Sequence, residues 1–249
     1  MIKIIAQTAS HIPILALFAE GMALIVYLFL SIRLGTKWRE RRSKATLNLF
    51  LSFLSYLVAI IFLFSTKSTD YFTGDQYIVS TLGINIGYSF SLLGNVFLFY
   101  FTENIFFEEP RPYLREAITL GNGVTLGFLI ISIFQIQSFP FLEIPGEYIP
   151  PHLLIWHVLI SSIGFLILFL KSLQAVFQAE ARLQKAGFLM ITITAIFELM
   201  VFIFFFADRF LGGGYTVWYF LAWISASLGG LFAMVGYLMP NWFRRIFES

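Results

Sequence analysis

The stretch Ile12–Lys44, IPILALFAEGMALIVYLFLSIRLGTKWRERRSK, decides the fold class of this chain. Its first part, Ile12 to Ile32, contains a single ionisable side chain other than tyrosine, Glu20. As a helix it would be about 31 Å long, enough to cross the hydrocarbon core of a bilayer. Its second part, RLGTKWRERRSK from Arg33 to Lys44, holds six basic residues. An apolar span followed at once by a dense basic segment reads as a membrane helix whose exit is held in the cytoplasm. The run lacks a clear small-residue cleavage site, which favours a retained span over a signal peptide.

The same grammar repeats along the chain. Apolar segments are expected at Ile12–Leu34, Thr46–Ser65, Ile78–Phe101, Ala117–Gln137, Leu153–Leu170, Ala186–Phe206 and Thr216–Met239, each near the roughly 20 residues a spanning helix needs. Their apolarity is continuous, without the alternation of a barrel strand, so helices are expected. The reading is an all-α integral membrane protein, residues 1–249 forming one seven-helix transmembrane domain. Composition agrees: of 249 residues, 59% are hydrophobic, 31 are Phe and only 12% are charged. A soluble domain of this size could not hide so much apolar surface. With no cysteine, disulfides, thiolate metal sites and palmitoylation are excluded.

Orientation follows from the basic residues. To the six of the first loop, the same side adds Arg111, Arg115, Lys171, Arg182, Lys185, Arg244 and Arg245, thirteen in all. The opposite side holds three, Lys3, Lys67 and Arg209. The richer side belongs in the cytoplasm, so an odd number of spans leaves the N-terminus outside the cell membrane. Trp156, Trp218 and Trp223 then fall toward the outer interface, and Trp38 and Trp242 toward the inner one, as an aromatic belt requires. Small-residue pairs, Gly83/Gly87 and Gly123/Gly127, and the series Ala222, Ala226, Gly230 and Ala233 mark close helix packing or a homodimer seam.

Chemistry narrows to few groups. Glu20 and Glu198 are the carboxylates expected inside the bilayer, where a charge is costly and commonly functional. Counted from the expected helix ends, both lie about 12 Å below the outer surface, Asn85 and Trp223 about 10 Å, and His157 about 6 Å. A polar ligand-binding cavity open to the outside is therefore expected, lined by Glu20, Asn85, Tyr88, His157, Glu198 and Trp223. Two close carboxylates would share a proton, which would suit a proton or cation site; the plainer alternative is two separately hydrogen-bonded acids. Asn85, Tyr88, Ser89 and Asn95 form a polar stripe on the third helix, with Asn122, Thr192 and Thr194 as expected partners. His11, His152 and His157 all fall on the outer side, where a metal or pH-sensing cluster is an alternative, but His152 and His157 are five apart and share no helix face, so no metal or cofactor is expected.

Several functions lose support. The segment Thr216–Met239 has no Lys for a retinal Schiff base, and neither HExxH nor GxSxG occurs. The loops are too short for a catalytic domain or for nucleic-acid binding, and no enzyme is expected. The basic run Arg39–Lys44 suits anionic lipid headgroups, and the loop ENIFFEEPRPYLRE, Glu103–Glu116, suits an interface or a partner.

Seven spans, an outside N-terminus, short loops and the exit Pro-Asn-Trp-Phe-Arg-Arg at Pro240–Arg245 together resemble the seven-helix sensor region at the N-terminus of some prokaryotic histidine kinases. The resemblance implies a membrane sensor that feeds a cytoplasmic PAS or kinase module. This sequence carries neither module before Ser249, which implies signalling through a separate cytoplasmic protein. The expectation is a receptor or sensor that binds a small ligand from its outer half. A small proton- or cation-coupled transporter or channel using Glu20 and Glu198 is the rival, and a non-catalytic subunit of a membrane complex a third reading.

Overall fold

The computed structural model describes residues 12–73, 77–138, 151–212 and 215–247. These form α1 (Ile14–Arg41), α2 (Lys44–Thr73), α3 (Tyr77–Phe106), α4 (Pro112–Ser138), α5 (Pro151–Gln178), α6 (Arg182–Ala207), α7 (Val217–Leu238) and the short α8 (Asn241–Phe247). A π-helical turn, Asp208–Gly212, follows α6. No strand occurs among the described residues.

Amphipathicity inside a membrane runs opposite to that of a soluble helix, and α1 shows how. Ala16, Glu20, Ala23, Tyr27, Leu30 and Leu34 are buried. Leu15, Phe18, Met22, Ile25, Phe29 and Ile32 are exposed. Both sets step by alternating threes and fours, so they occupy opposite faces of one helix. The polar groups turn inward, while the largest apolar side chains face out. An exterior of that kind is stable against hydrocarbon and not against water.

Among the described residues, six helices are long and apolar enough to cross a membrane, and the chain is a multi-pass, all-α membrane protein. The expected fourth span, 117–137, is helical within α4. Helices α1, α2, α3, α5, α6 and α7 close into a ring through successive contacts, and α4 packs outside it against α3 and α5.

Two boundaries differ from the sequence reading in ways that matter. The expected loop Arg33–Lys44 is helical as far as Arg41, and the turn is only Arg42–Ser43, with Arg42 in the left-handed region at φ 53°. At the other end, α2 does not stop near Ser65 but continues to Thr73, with Lys67 and Asp70 buried in the bundle. An apolar window stops at the first charge, whereas a helix continues as long as its backbone bonds and inward face do. Lys67 and Asp70 extend the inward series Phe53, Tyr56, Ile60 and Leu63 with the same spacing.

Glycines set several approaches. A Cβ on Gly87 would stand 3.1 Å from the carbonyl oxygen of Ala59, which explains how closely α3 nests on α2. One on Gly230 would stand 2.7 Å from Val26 Cγ1 on α1. Gly123 and Gly127, by contrast, have nothing within 4 Å, so that pair is not a seam within the monomer.

Candidate functional site

The site forms where the C-terminal end of α2 meets α1 and α7. Glu20 is fully buried, and Lys67 is only 9% exposed. The Lys67 ammonium donates to Glu20 Oε1 and to the Tyr219 hydroxyl oxygen, the latter at 2.8 Å. The Tyr219 hydroxyl in turn donates to Glu20 Oε1. Ammonium, phenol and carboxylate thus close a triangle. Three aromatic faces complete the shell, with Lys67 Nζ 4.7 Å from the Tyr219 ring centroid, 5.8 Å from Trp223 and 5.9 Å from Tyr215. Aromatic faces at such distances attract a cation through their negative quadrupoles, most strongly where water is excluded.

The cage is braced from behind. Phe205 packs edge-on against Trp223 at 5.4 Å and against Tyr219 at 5.9 Å. Tyr215 has φ 55°, a conformation that non-glycine residues rarely adopt. Asp208 holds it there. Its Oδ2 accepts from the Tyr215 backbone N–H at 3.2 Å. Its Oδ1 accepts from the Thr216 backbone N–H at 2.7 Å and from the Thr216 hydroxyl at 2.6 Å. A strained residue fixed by a buried carboxylate, with its ring against a buried cation, is a local feature that the surrounding structure over-determines.

Glu198 belongs to a second, deeper layer. Its Oε1 accepts from the Tyr27 hydroxyl at 2.5 Å, and the side chain lies against Gly229. Tyr27 is seven residues beyond Glu20 on α1, about 10 Å along the axis. Gly229 is ten residues beyond Tyr219 on α7, about 15 Å. Two helices therefore agree that the carboxylates sit in separate layers, and the expectation of one shared depth is corrected. Among the described residues no cation pairs with Glu198. Beside this layer, the Tyr56 hydroxyl donates to Asn95 Oδ1 at 2.7 Å, and Asn95 Nδ2 donates to Ser161 Oγ at 2.7 Å, which ties α2, α3 and α5 together.

The remaining expected residues divide between these places and elsewhere. Trp223 joins Glu20 as a wall of the cage rather than an interfacial belt residue. His157 stacks on Tyr88 with centroids 4.8 Å apart, and its Nε2 is 3.5 Å from Ser91 Oγ, a separate contact between α3 and α5. Asn85 is fully buried, and its carbonyl oxygen accepts from the Ser89 hydroxyl. The six residues expected to line one outward-open cavity are thus not gathered in one place: Glu20 and Trp223 share the cage, Glu198 lies in the deeper layer, and Tyr88 and His157 share the α3–α5 contact; all but half-buried Tyr88 are buried. Asn122, Thr192 and Thr194 bond within their own helices, with Thr192 also reaching Ser172, rather than to the α3 stripe. His11 lies outside the described residues.

Tyr27, Asp208, Tyr215 and Tyr219 were not singled out in the sequence, and two further participants, Lys67 and Glu103, were placed in loops. Lys67 was assigned to a loop because the apolar window ended before it; the continuing inward spacing was the signal that could have placed it. Glu103 was assigned to a polar loop but is 3% exposed. Its carboxylate accepts from the Arg111 backbone N–H at 2.7 Å and from Arg115 Nε and Nη2 at 2.8 and 2.5 Å. That bidentate clamp folds the α3–α4 connection back onto the bundle.

No protein-family model matches the chain, and no curated protein matches it in sequence.

Proposed function

We propose that this chain is a seven-span membrane receptor or sensor, with its N-terminus outside and its C-terminus in the cytoplasm. It responds at the Glu20–Lys67–Tyr219 cluster and passes a helix rearrangement to a cytoplasmic signalling protein. The observation that carries the reading is a buried ion pair joining three helices near one end of the bundle. Ionisable groups inside a membrane are costly and mark function by default. A pair that bridges α1, α2 and α7 makes their relative placement depend on one breakable contact.

The cluster lies at the end poorer in Lys and Arg, which the distribution of thirteen against three assigns to the outside. The opposite end carries Arg39, Arg41, Arg42 and Lys44, suited to anionic headgroups or to an acidic face of a partner. The resemblance to the sensor regions of histidine kinases supports the same direction of information flow.

A second reading, a proton- or cation-coupled transporter, draws on the polar groups that continue inward from the cluster, Glu198–Tyr27 and Tyr56–Asn95–Ser161. Proteoliposomes separate the two. The sensor reading expects no pH-driven or cation flux above empty vesicles. A flux abolished by Glu198→Gln would sink it. Orientation is tested by single cysteines at exposed Lys44 and Phe72. In whole cells an impermeant maleimide should label Phe72→Cys and spare Lys44→Cys; the opposite pattern would invert the topology.

A further inference from the structure

The surroundings of Lys67 have the composition of a receptor for an external cation, and the chain's own side chain fills it. Three aromatic faces, a phenol oxygen and a carboxylate converge on one ammonium. This pattern of π faces and counter-charge recognises organic ammonium groups whether or not they are tethered. An independent observation points the same way. Glu20 is fully buried, yet its Oε2 has no hydrogen-bond partner among the described residues. A buried carboxylate oxygen without a donor is costly, and a ligand bearing N–H groups would supply one.

The two charged partners differ in how readily each can leave. Glu20 has a short side chain set on the inward face of α1, and the aromatic faces would repel an anion that replaced it. Lys67 has a four-carbon stem, and its side chain is 11% exposed. Displacement of Lys67 therefore needs no break in α2.

We propose that Glu20, Tyr215, Tyr219 and Trp223 form a binding site for an organic ammonium ligand, occupied here by Lys67 as a tethered competitor, and that ligand entry displaces Lys67 from Glu20. Binding at this site stands on the geometry; its consequence for signalling rests on the sensor reading. A tethered competitor weakens apparent affinity by the fraction of time it vacates the site, so removing it should strengthen binding about tenfold or more.

The probe is n-butylammonium, which copies the lysine stem and head, with 1-butanol as the uncharged control. The full chain in lipid nanodiscs is titrated while its thermal unfolding is followed. Lys67→Ala should be stabilised saturably by n-butylammonium, at concentrations about tenfold lower than wild type requires. 1-Butanol should do neither, and Lys67→Ala/Glu20→Gln should lose the effect. Absence of saturable stabilisation in Lys67→Ala, an equal effect of 1-butanol, or an undiminished effect in the double variant would each overturn the proposal.

Should Lys67→Ala fail to fold, Lys67→Met and the wild type carry the test through tryptophan fluorescence, since Trp223 walls the site. A saturable spectral change that Glu20→Gln removes supports the site, and its absence from both proteins overturns it. Ammonium binding that leaves the Lys44 end of the bundle unmoved removes the sensor reading and keeps the site. Movement of that end on Lys67→Met, with no ammonium binding, does the reverse.

Discussion

Breaking the Glu20–Lys67 pair from one side should cost far more than deleting it whole. Lys67→Met leaves the Glu20 carboxylate fully buried with the Tyr219 hydroxyl as its remaining donor, Oε2 having none to begin with. Removing one member of a buried pair costs about 3–5 kcal/mol, and this site belongs toward the upper end because the surviving charge is the less solvated one. Glu20→Gln strands the ammonium instead, but three aromatic faces and the Tyr219 oxygen remain around it. Each face at this depth returns on the order of 1 kcal/mol, so the loss should sit near 3 kcal/mol. In Glu20→Gln/Lys67→Met no charge is left to solvate, and exchanging a buried pair for neutral groups of similar volume is often close to neutral. The cycle should therefore show a coupling energy of about 3 kcal/mol or more, with the double variant more stable than either single one. Equilibrium unfolding in bicelles, followed by tryptophan fluorescence, measures all four corners. A double variant whose loss equals the sum of the single losses would refute the reasoning, since it would mean that neither charge depends on the other.

Three further outcomes follow from the same geometry. Tyr27→Phe removes the donor to Glu198 Oε1 and should destabilise the chain by about 1–3 kcal/mol, read by the same unfolding assay, while Phe53→Tyr is no substitute because its ring serves a different contact with Tyr27. Gly229→Ala would place a Cβ 2.8 Å from Glu198 Oε1 and should cost about 1–3 kcal/mol. Gly123→Ala, with nothing within 4 Å, should be neutral or stabilise by up to about 1 kcal/mol through helix propensity, and equal effects at the two glycines would contradict the packing described. Glu103→Gln loses the charged clamp on Arg115 and the Arg111 amide; hydrogen exchange should quicken over residues 107–111 and leave the α5–α6 connection unchanged.

The bundle was legible because continuous apolar runs in a chain of this composition have few other homes. The inward direction of Glu20 and Glu198 was legible for a related reason, the cost of a charge against lipid. Their partners were not. Depth counted from an expected helix end takes every helix to start at the same height, and tilt and uneven ends defeat that assumption. Glu20 and Glu198 received one depth by counting, whereas Tyr27 and Gly229 place Glu198 a layer deeper. Lys67 was hidden by its own charge, which ended the apolar window at Ser65 although the helix continues to Thr73. The contribution of Tyr215 depends on a left-handed backbone set by Asp208, a tertiary arrangement with no local signature.

The account turns on the claim that the Glu20–Lys67 pair governs how the helices stand at the far end of the bundle. The chain has no cysteine, so a spin-label pair at Lys44→Cys on α2 and Phe177→Cys on α5, both exposed, adds the only labels. Electron–electron distance measurements in nanodiscs then compare this background with the same pair carrying Lys67→Met. The account predicts a second distance population in the Lys67→Met protein, restored to the original one in Lys67→Met/Glu20→Gln. Superimposable distributions in all three proteins would contradict it.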